Sequence, residues 1–121
     1  MNQGRGPGGT AMTTDLQLLR QRINAADKRI REHVRQTYLE HSPVLSDLCA
    51  GSVYCKLENL QHTGSFKLRG AFNKVLSLTE AERNKDIVTS SSGNHGAGVA
   101  YVLNALKQSG TVYVPENVVP E

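Results

Sequence analysis

The chain has 121 residues, 38% of them hydrophobic, and a formal net charge of +3. That length supports one modest domain with its own core; no apolar run approaches the ~20 residues of a membrane span, and the start lacks the hydrophobic stretch of a signal peptide. The mild charge without an aromatic-basic patch argues against a nucleic-acid partner, and two loosely spaced cysteines argue against a zinc site or a disulfide scaffold, so a reducing, cytoplasmic setting without a metal is expected.

Residues 1–13 are glycine-rich and without hydrophobic period, so they are expected to form a disordered tail. Thr14 to about Gln36 reads as a helix. Thr14 and Gln17 have capping-box spacing. Leu16, Leu19, Ile23, Ala26, Ile30 and Val34 make one apolar stripe that predicts packing against the rest of the fold. Basic residues between Arg20 and Arg35 alternate with Asp27 and Glu32, as on a solvated helix face. His41-Ser42-Pro43 breaks the pattern, and Val44-Leu45 is expected to be a short extended piece.

Val53 to Leu57 alternates apolar and polar residues and predicts a strand, with Cys55 as a small buried residue. Glu58 to Gly64 reads as a loop. Ser65 or Phe66 opens a helix to about Leu78, with Leu68, Ala71, Phe72, Val75 and Leu76 on its buried face. A Thr79/Glu82 capping box starts a short helix. Ile87-Val88-Thr89 is a strand. Gly93 to Gly96 leads into a helix through Ser109 that buries Val99, Val102, Leu103 and Leu106, and Gly110 is expected to end it. Thr111 to Val114 is a last strand. Strands alternating with helices predict an α/β fold, here a partial parallel-sheet domain with flanking helices, preceded by the N-terminal helix.

Lys67, within Ser65-Phe66-Lys67-Leu68-Arg69-Gly70-Ala71, sits where a helix begins, and helix N-termini disfavour cations. That effect is worth only ~0.3–1 kcal/mol. Moving any lysine from its ordinary ~10.4 to near neutrality takes roughly 4 kcal/mol. Burial or a covalent link to a carbonyl has to supply the rest. Downstream, Ser91-Ser92-Gly93-Asn94-His95-Gly96 lies between a strand and a helix. Such a turn aims backbone N–H groups at one spot beside the positive end of a helix. The Ser91 and Ser92 hydroxyls and the Asn94 amide add donors, which suits a carboxylate or another oxyanion. Taken singly, the first segment reads far more readily as a solvated helix lysine, and the second reads equally as a capping turn.

Together the two segments resemble the lysine and asparagine motifs of fold type II (tryptophan synthase β-like) pyridoxal-phosphate enzymes. Leu68-Arg69 and His95 match the threonine dehydratase and serine racemase branch rather than the sulfur-assimilating one. The resemblance runs from about Ser42 to Pro120. It implies that Lys67 forms the Schiff base with pyridoxal 5'-phosphate and that Phe66 lies beside the cofactor ring. Asn94 would bond the ring's phenolic oxygen. Ser91, Ser92, Asn94 and His95 would hold the substrate carboxylate. Lys67 and Ser92 would be the catalytic acid/base groups on opposite faces of the ring. The implied activity is ammonia release from a 3-hydroxy amino acid such as L-threonine or L-serine, giving a 2-oxo acid. Racemisation is the alternative, with Ser92 reprotonating the opposite face.

The family grips the cofactor phosphate with a glycine-rich loop that follows the lysine at a distance, and no such run follows Gly110. Residues 14–121 are therefore expected to be the N-terminal portion of a truncated catalytic domain, inactive alone and a homo-oligomer in its full-length form. A different class of reading is a non-catalytic pseudoenzyme that pairs with a full-length homologue through an exposed sheet edge.

Overall fold

A computed structural model of the chain describes residues 8–117. It opens with helix α1, Gly8–Ile30. Thr14 thus lies inside the helix and not at its N-cap, and the helix runs through the part of the expected tail that is described; residues 1–7 lie outside the described residues. The expected stripe is only half used. Ile30 is buried and Ala26 half-buried, but Leu16, Leu19 and Ile23 are exposed. The helix also stops at Ile30, well short of Gln36.

Next come strand β1, Leu39–His41, and helix α2, Pro43–Cys49. The extended piece expected at Val44-Leu45 is therefore a helix. Its start is specified by Ser42, whose hydroxyl accepts from the Leu45 N–H, and by Pro43 in the first turn, where a missing N–H costs nothing. Strand β2, Tyr54–Lys56, pairs antiparallel with β1, with Glu40 opposite Cys55. The alternation that marked this strand is real, but the strand lies outside the parallel sheet. Cys55 is half-buried, and both cysteines are free thiols.

A 3-10 turn at Glu58–Leu60 leads to helix α3, Lys67–Ser77. Helix α4, Glu80–Arg83, begins with the expected box: Thr79 accepts from the Glu82 N–H, and the Glu82 carboxylate accepts from the Thr79 N–H. Strand β3, Ile87–Ser90, helix α5, Asn94–Leu106, and strand β4, Gly110–Tyr113, complete the described chain. β3 and β4 pair in parallel, Ile87 opposite Gly110 through Ser90 opposite Tyr113. This β3-α5-β4 unit is the α/β element that the strand–helix alternation predicts.

The core lies between α3 and α5. Leu68, Ala71, Phe72 and Val75 face Val99, Val102 and Leu103, with Ile30 of α1 alongside. Phe72, Leu68 and Val102 are the largest fully buried side chains, each worth about 1.5–3 kcal/mol of apolar burial. Phe72 also stacks on His33 and meets Tyr101 edge-on. Gly110 does not cap α5. Lys107 does so, in the left-handed conformation at φ 54°. Gly110 instead begins β4, where a Cβ would lie 2.4 Å from the Ile87 carbonyl oxygen.

Candidate active site

Lys67 is the first residue of α3, and Phe66 before it offers no side-chain cap. The start of the helix therefore keeps its donors, and its first side chain is a cation. Both residues are exposed. The Lys67 ammonium lies over the Phe66 ring, 4.8 Å from its centroid, a cation–π contact worth about 0.5–1 kcal/mol at an exposed site. That contact holds the amine at the mouth of a cleft.

The cleft has a volume of about 440 Å³, within the range of roughly 300–1,000 Å³ usual for small-molecule sites. Phe66 and Lys67 line it at the start of α3, Ile87 and Thr89 from β3, and His95 and Val99 from α5. Its wall is mainly apolar, with Lys67, Lys74, Thr89 and His95 as the polar side chains. Thr89 Oγ1 lies 3.0 Å from His95 Nε2. This bond ties the imidazole to the strand and fixes which way the ring points. Sequence reasoning did not single out Thr89. Its period-two relation to Ile87 on β3 was the available signal.

The loop before α5 is shaped by close backbone approach. A Cβ on Gly96 would sit 2.3 Å from the Ser91 carbonyl oxygen, so the loop folds over a residue that must be glycine. Ser91 Oγ accepts from the Gly93 N–H at 3.3 Å, and the Ser91 N–H pairs with the Tyr113 carbonyl at 3.0 Å. Gly93 is the N-cap of α5 and supplies no capping side chain. The N–H groups of Asn94, His95 and Gly96 thus begin the helix without intrahelical acceptors. Together with the helix dipole they favour an anion at this end.

Gly98 brings the two motifs together. A Cβ there would lie 3.3 Å from the Leu68 nitrogen and 3.4 Å from the Lys67 carbonyl carbon. Its absence lets the second turn of α5 rest on the backbone that starts α3. Of the residues singled out from sequence, Phe66, Lys67 and His95 meet in one cleft. Ser91, Ser92 and Asn94 do not line it; they form the adjoining turn at the N-terminus of α5, with Ser92 and Asn94 exposed and Ser91 half-buried.

The arrangement fits a carbonyl-bearing, anionic cofactor. It offers a reachable primary amine, an aromatic neighbour, an apolar wall and a helix end with free donors. Among the described residues, no group of three or more His, Cys, Asp or Glu is placed to hold a metal ion, and no helix is long and apolar enough to cross a membrane.

The family model for pyridoxal-phosphate dependent enzymes matches residues 30–121. The L-threonine ammonia-lyase of Thermotoga maritima is 43% identical over 93 residues, covering 77% of this chain and 23% of that protein. The catabolic L-threonine dehydratase of Escherichia coli K12 is 41% identical over 105 residues, covering 87% of this chain and 32% of that protein. Among solved structures, the serine racemase of Dictyostelium discoideum superposes with a TM-score of 0.76 at 40% identity, over 82% of this chain and 32% of that one. The chain therefore spans 23% to 32% of the length of these relatives.

Proposed function

The chain belongs to the pyridoxal-phosphate dependent enzymes of fold type II, and on that premise we propose that it carries the lysine and the substrate loop of a threonine/serine ammonia-lyase. The observation that supports this reading most directly is the convergence of Lys67 and His95 on one cleft beside the open N-terminus of α5.

Pyridoxal phosphate, when bound, supplies an electron sink for the substrate α-carbon. The chain's own residues have distinct tasks. Lys67 Nζ would hold the cofactor covalently at its carbonyl carbon. As a free amine, the same nitrogen would accept the substrate's α-proton. Phe66 would lie beside the ring. Asn94 would donate to the ring's phenolic oxygen. Ser91, Ser92, Asn94 and His95 orient the substrate carboxylate at the helix end, which fixes the α-hydrogen relative to Lys67. Thr89 keeps His95 in place through its 3.0 Å contact. The β-hydroxyl would leave as water, and the enamine so released would take up water again and hydrolyse to a 2-oxo acid and ammonia, starting from L-threonine or L-serine.

Racemisation is the second reading, favoured by the likeness to a serine racemase. In it the exposed Ser92 hydroxyl returns a proton to the face opposite Lys67. The full-length protein is proposed to be a cytoplasmic homo-oligomer.

The cofactor step is tested by adding pyridoxal phosphate to the 121-residue chain and recording its visible spectrum. The absorption of lysine-bound cofactor is expected in the parent and absent in Lys67→Ala. Equal absorption in both would remove Lys67 from the site. The reaction is tested in the protein from its own host, by 2-oxo acid and ammonia release. There Lys67→Ala is expected to lower turnover by about 10³-fold or more. Ser92→Ala separates the readings: it suppresses racemisation while elimination persists.

A further inference from the structure

A second cleft lies apart from the first and shares no lining residue with it. It has a volume of about 240 Å³ and is bordered by Asp27 of α1, by Arg31 and Arg35 of the turn that follows, by Lys56 of β2 and by Arg69 of α3. Four cationic side chains thus converge from three separate parts of the chain.

Their partners are unequal. Arg31 is bonded to Asp27, and Arg69 is held by Glu58 through two hydrogen bonds of 2.7 and 2.8 Å. Arg35 and Lys56 have only neutral acceptors. The Arg35 guanidinium donates to the Leu60 carbonyl at 3.0 Å, and Lys56 Nζ donates to the Thr37 carbonyl at 2.6 Å. Neither has a carboxylate within ion-pair distance among the described residues. The cleft consequently keeps two uncompensated positive charges on groups whose positions are already fixed.

That fixing extends to the backbone. Gln61 is buried and grips Arg35 on both sides: its amide oxygen accepts from the Arg35 N–H at 2.8 Å, and its nitrogen donates to the Arg35 carbonyl at 3.0 Å. The guanidinium therefore projects from an anchored main chain. Ordering it for a ligand costs less side-chain and backbone entropy than ordering a free surface arginine.

We propose that this cleft is a binding site for a small phosphate-bearing dianion, distinct from the site at Lys67. Guanidinium forks match the paired oxygens of phosphate, and a nearby ammonium adds charge without geometric demand. Two excess cations match the charge of a phosphate dianion. The volume admits a phosphate group with a small substituent but not a macromolecule.

The test is an amide-shift titration of the 121-residue chain with inorganic phosphate at mildly alkaline pH, where it is a dianion, and low ionic strength. Saturable shifts are expected at Asp27 to Gln36, Lys56 and Arg69, with the Ser91 to Gly96 amides unmoved. The double variant Arg35→Gln/Lys56→Gln is expected to weaken binding at least about tenfold, because both unmatched charges are gone. The milder Lys56→Gln, which removes one exposed ammonium, is expected to weaken it about threefold and serves if the double variant is poorly folded by circular dichroism. Lys85→Gln, at an exposed lysine outside this cleft, should leave the affinity unchanged. Shifts that never saturate, shifts centred on Ser91 to Gly96, or affinity equal in Lys56→Gln and parent would overturn the proposal.

Discussion

At Gly96 a single methyl group decides whether the loop can close. The Cβ of an alanine there would need to occupy space 2.3 Å from the Ser91 carbonyl oxygen, a backbone atom that cannot swing aside. Alanine normally gains up to ~1 kcal/mol over glycine inside a helix. Here overpacking outweighs that gain, and Gly96→Ala is expected to destabilise by about 1–3 kcal/mol in urea unfolding. The variant is also expected to disturb cofactor absorption, because Ser91 and the first turn of α5 shift together. The residue types of the site were legible in the sequence: Lys67 is a cation at a helix start, and Ser91 to Gly96 is a donor-rich turn. Gly98 was not legible as the hinge between them, since a glycine inside a helical pattern signals close approach without saying to what. Thr89 was hidden for a similar reason, as its partner His95 belongs to the next element.

Among elements, α3 and α5 carry the core and were the easiest to read, because their apolar residues recur at helical spacing. Phe72 has the most at stake. It is 1% exposed and touches aromatic rings from two other segments. Phe72→Ala is expected to cost about 3–5 kcal/mol, visible as a lower unfolding midpoint without a change in slope. The end of α5 offers a gain instead. Lys107 holds φ at 54°, a conformation that costs a non-glycine residue roughly 1–2 kcal/mol. Glycine adopts it freely but loses about 0.5–1 kcal/mol of backbone entropy on folding. Lys107→Gly is therefore expected to raise stability by about 0.5–1 kcal/mol, read from the same unfolding curves. The β1-α2-β2 unit was misread because Ser42-Pro43 serves equally as a stop and as a helix start. Only the Leu45 N–H bonded to Ser42 decides between them. Antiparallel pairing of β2 could not be foreseen while β1, three residues long, showed no alternation of its own.

For the molecule as a whole, the most consequential polar feature is Glu58. It joins the segment after α1 to the start of α3: Arg69 grips its carboxylate, and the Thr37 hydroxyl donates to it at 2.5 Å. The Arg69 bonds, reinforced by Thr37 and opposed by burial, hold its pKa at about 2 against an ordinary 4.5. A depressed carboxylate stabilises the fold fully above its unfolded value. That contribution fades as pH drops from about 4.5 to about 2. Its size is about 2–3 kcal/mol at neutral pH, with the Glu58 side chain only 13% exposed. Unfolding free energies measured between pH 6 and pH 2.5 are expected to fall more steeply for the parent than for Glu58→Gln. Parallel slopes would show that the pair is not coupled to folding. This network was not readable from sequence. Glu58 lies in a stretch that looks like a loop, and its partners Thr37 and Arg69 are far away along the chain.

The contact at Gly98 also bears on how the chain tolerates insertions. Lys67 and Ser91 to Gly96 are held at their separation by two helices touching, not by the residues that run between them. α4 and its flanks lie on that intervening path, and Glu80 to Glu82 are exposed. Doubling the length of a flexible connection costs only about 0.6 kcal/mol. A few serine and glycine residues inserted after Asn84 should therefore leave the lysine and the loop facing each other. The interval between the two motifs in the sequence is free to drift where their distance in space is not.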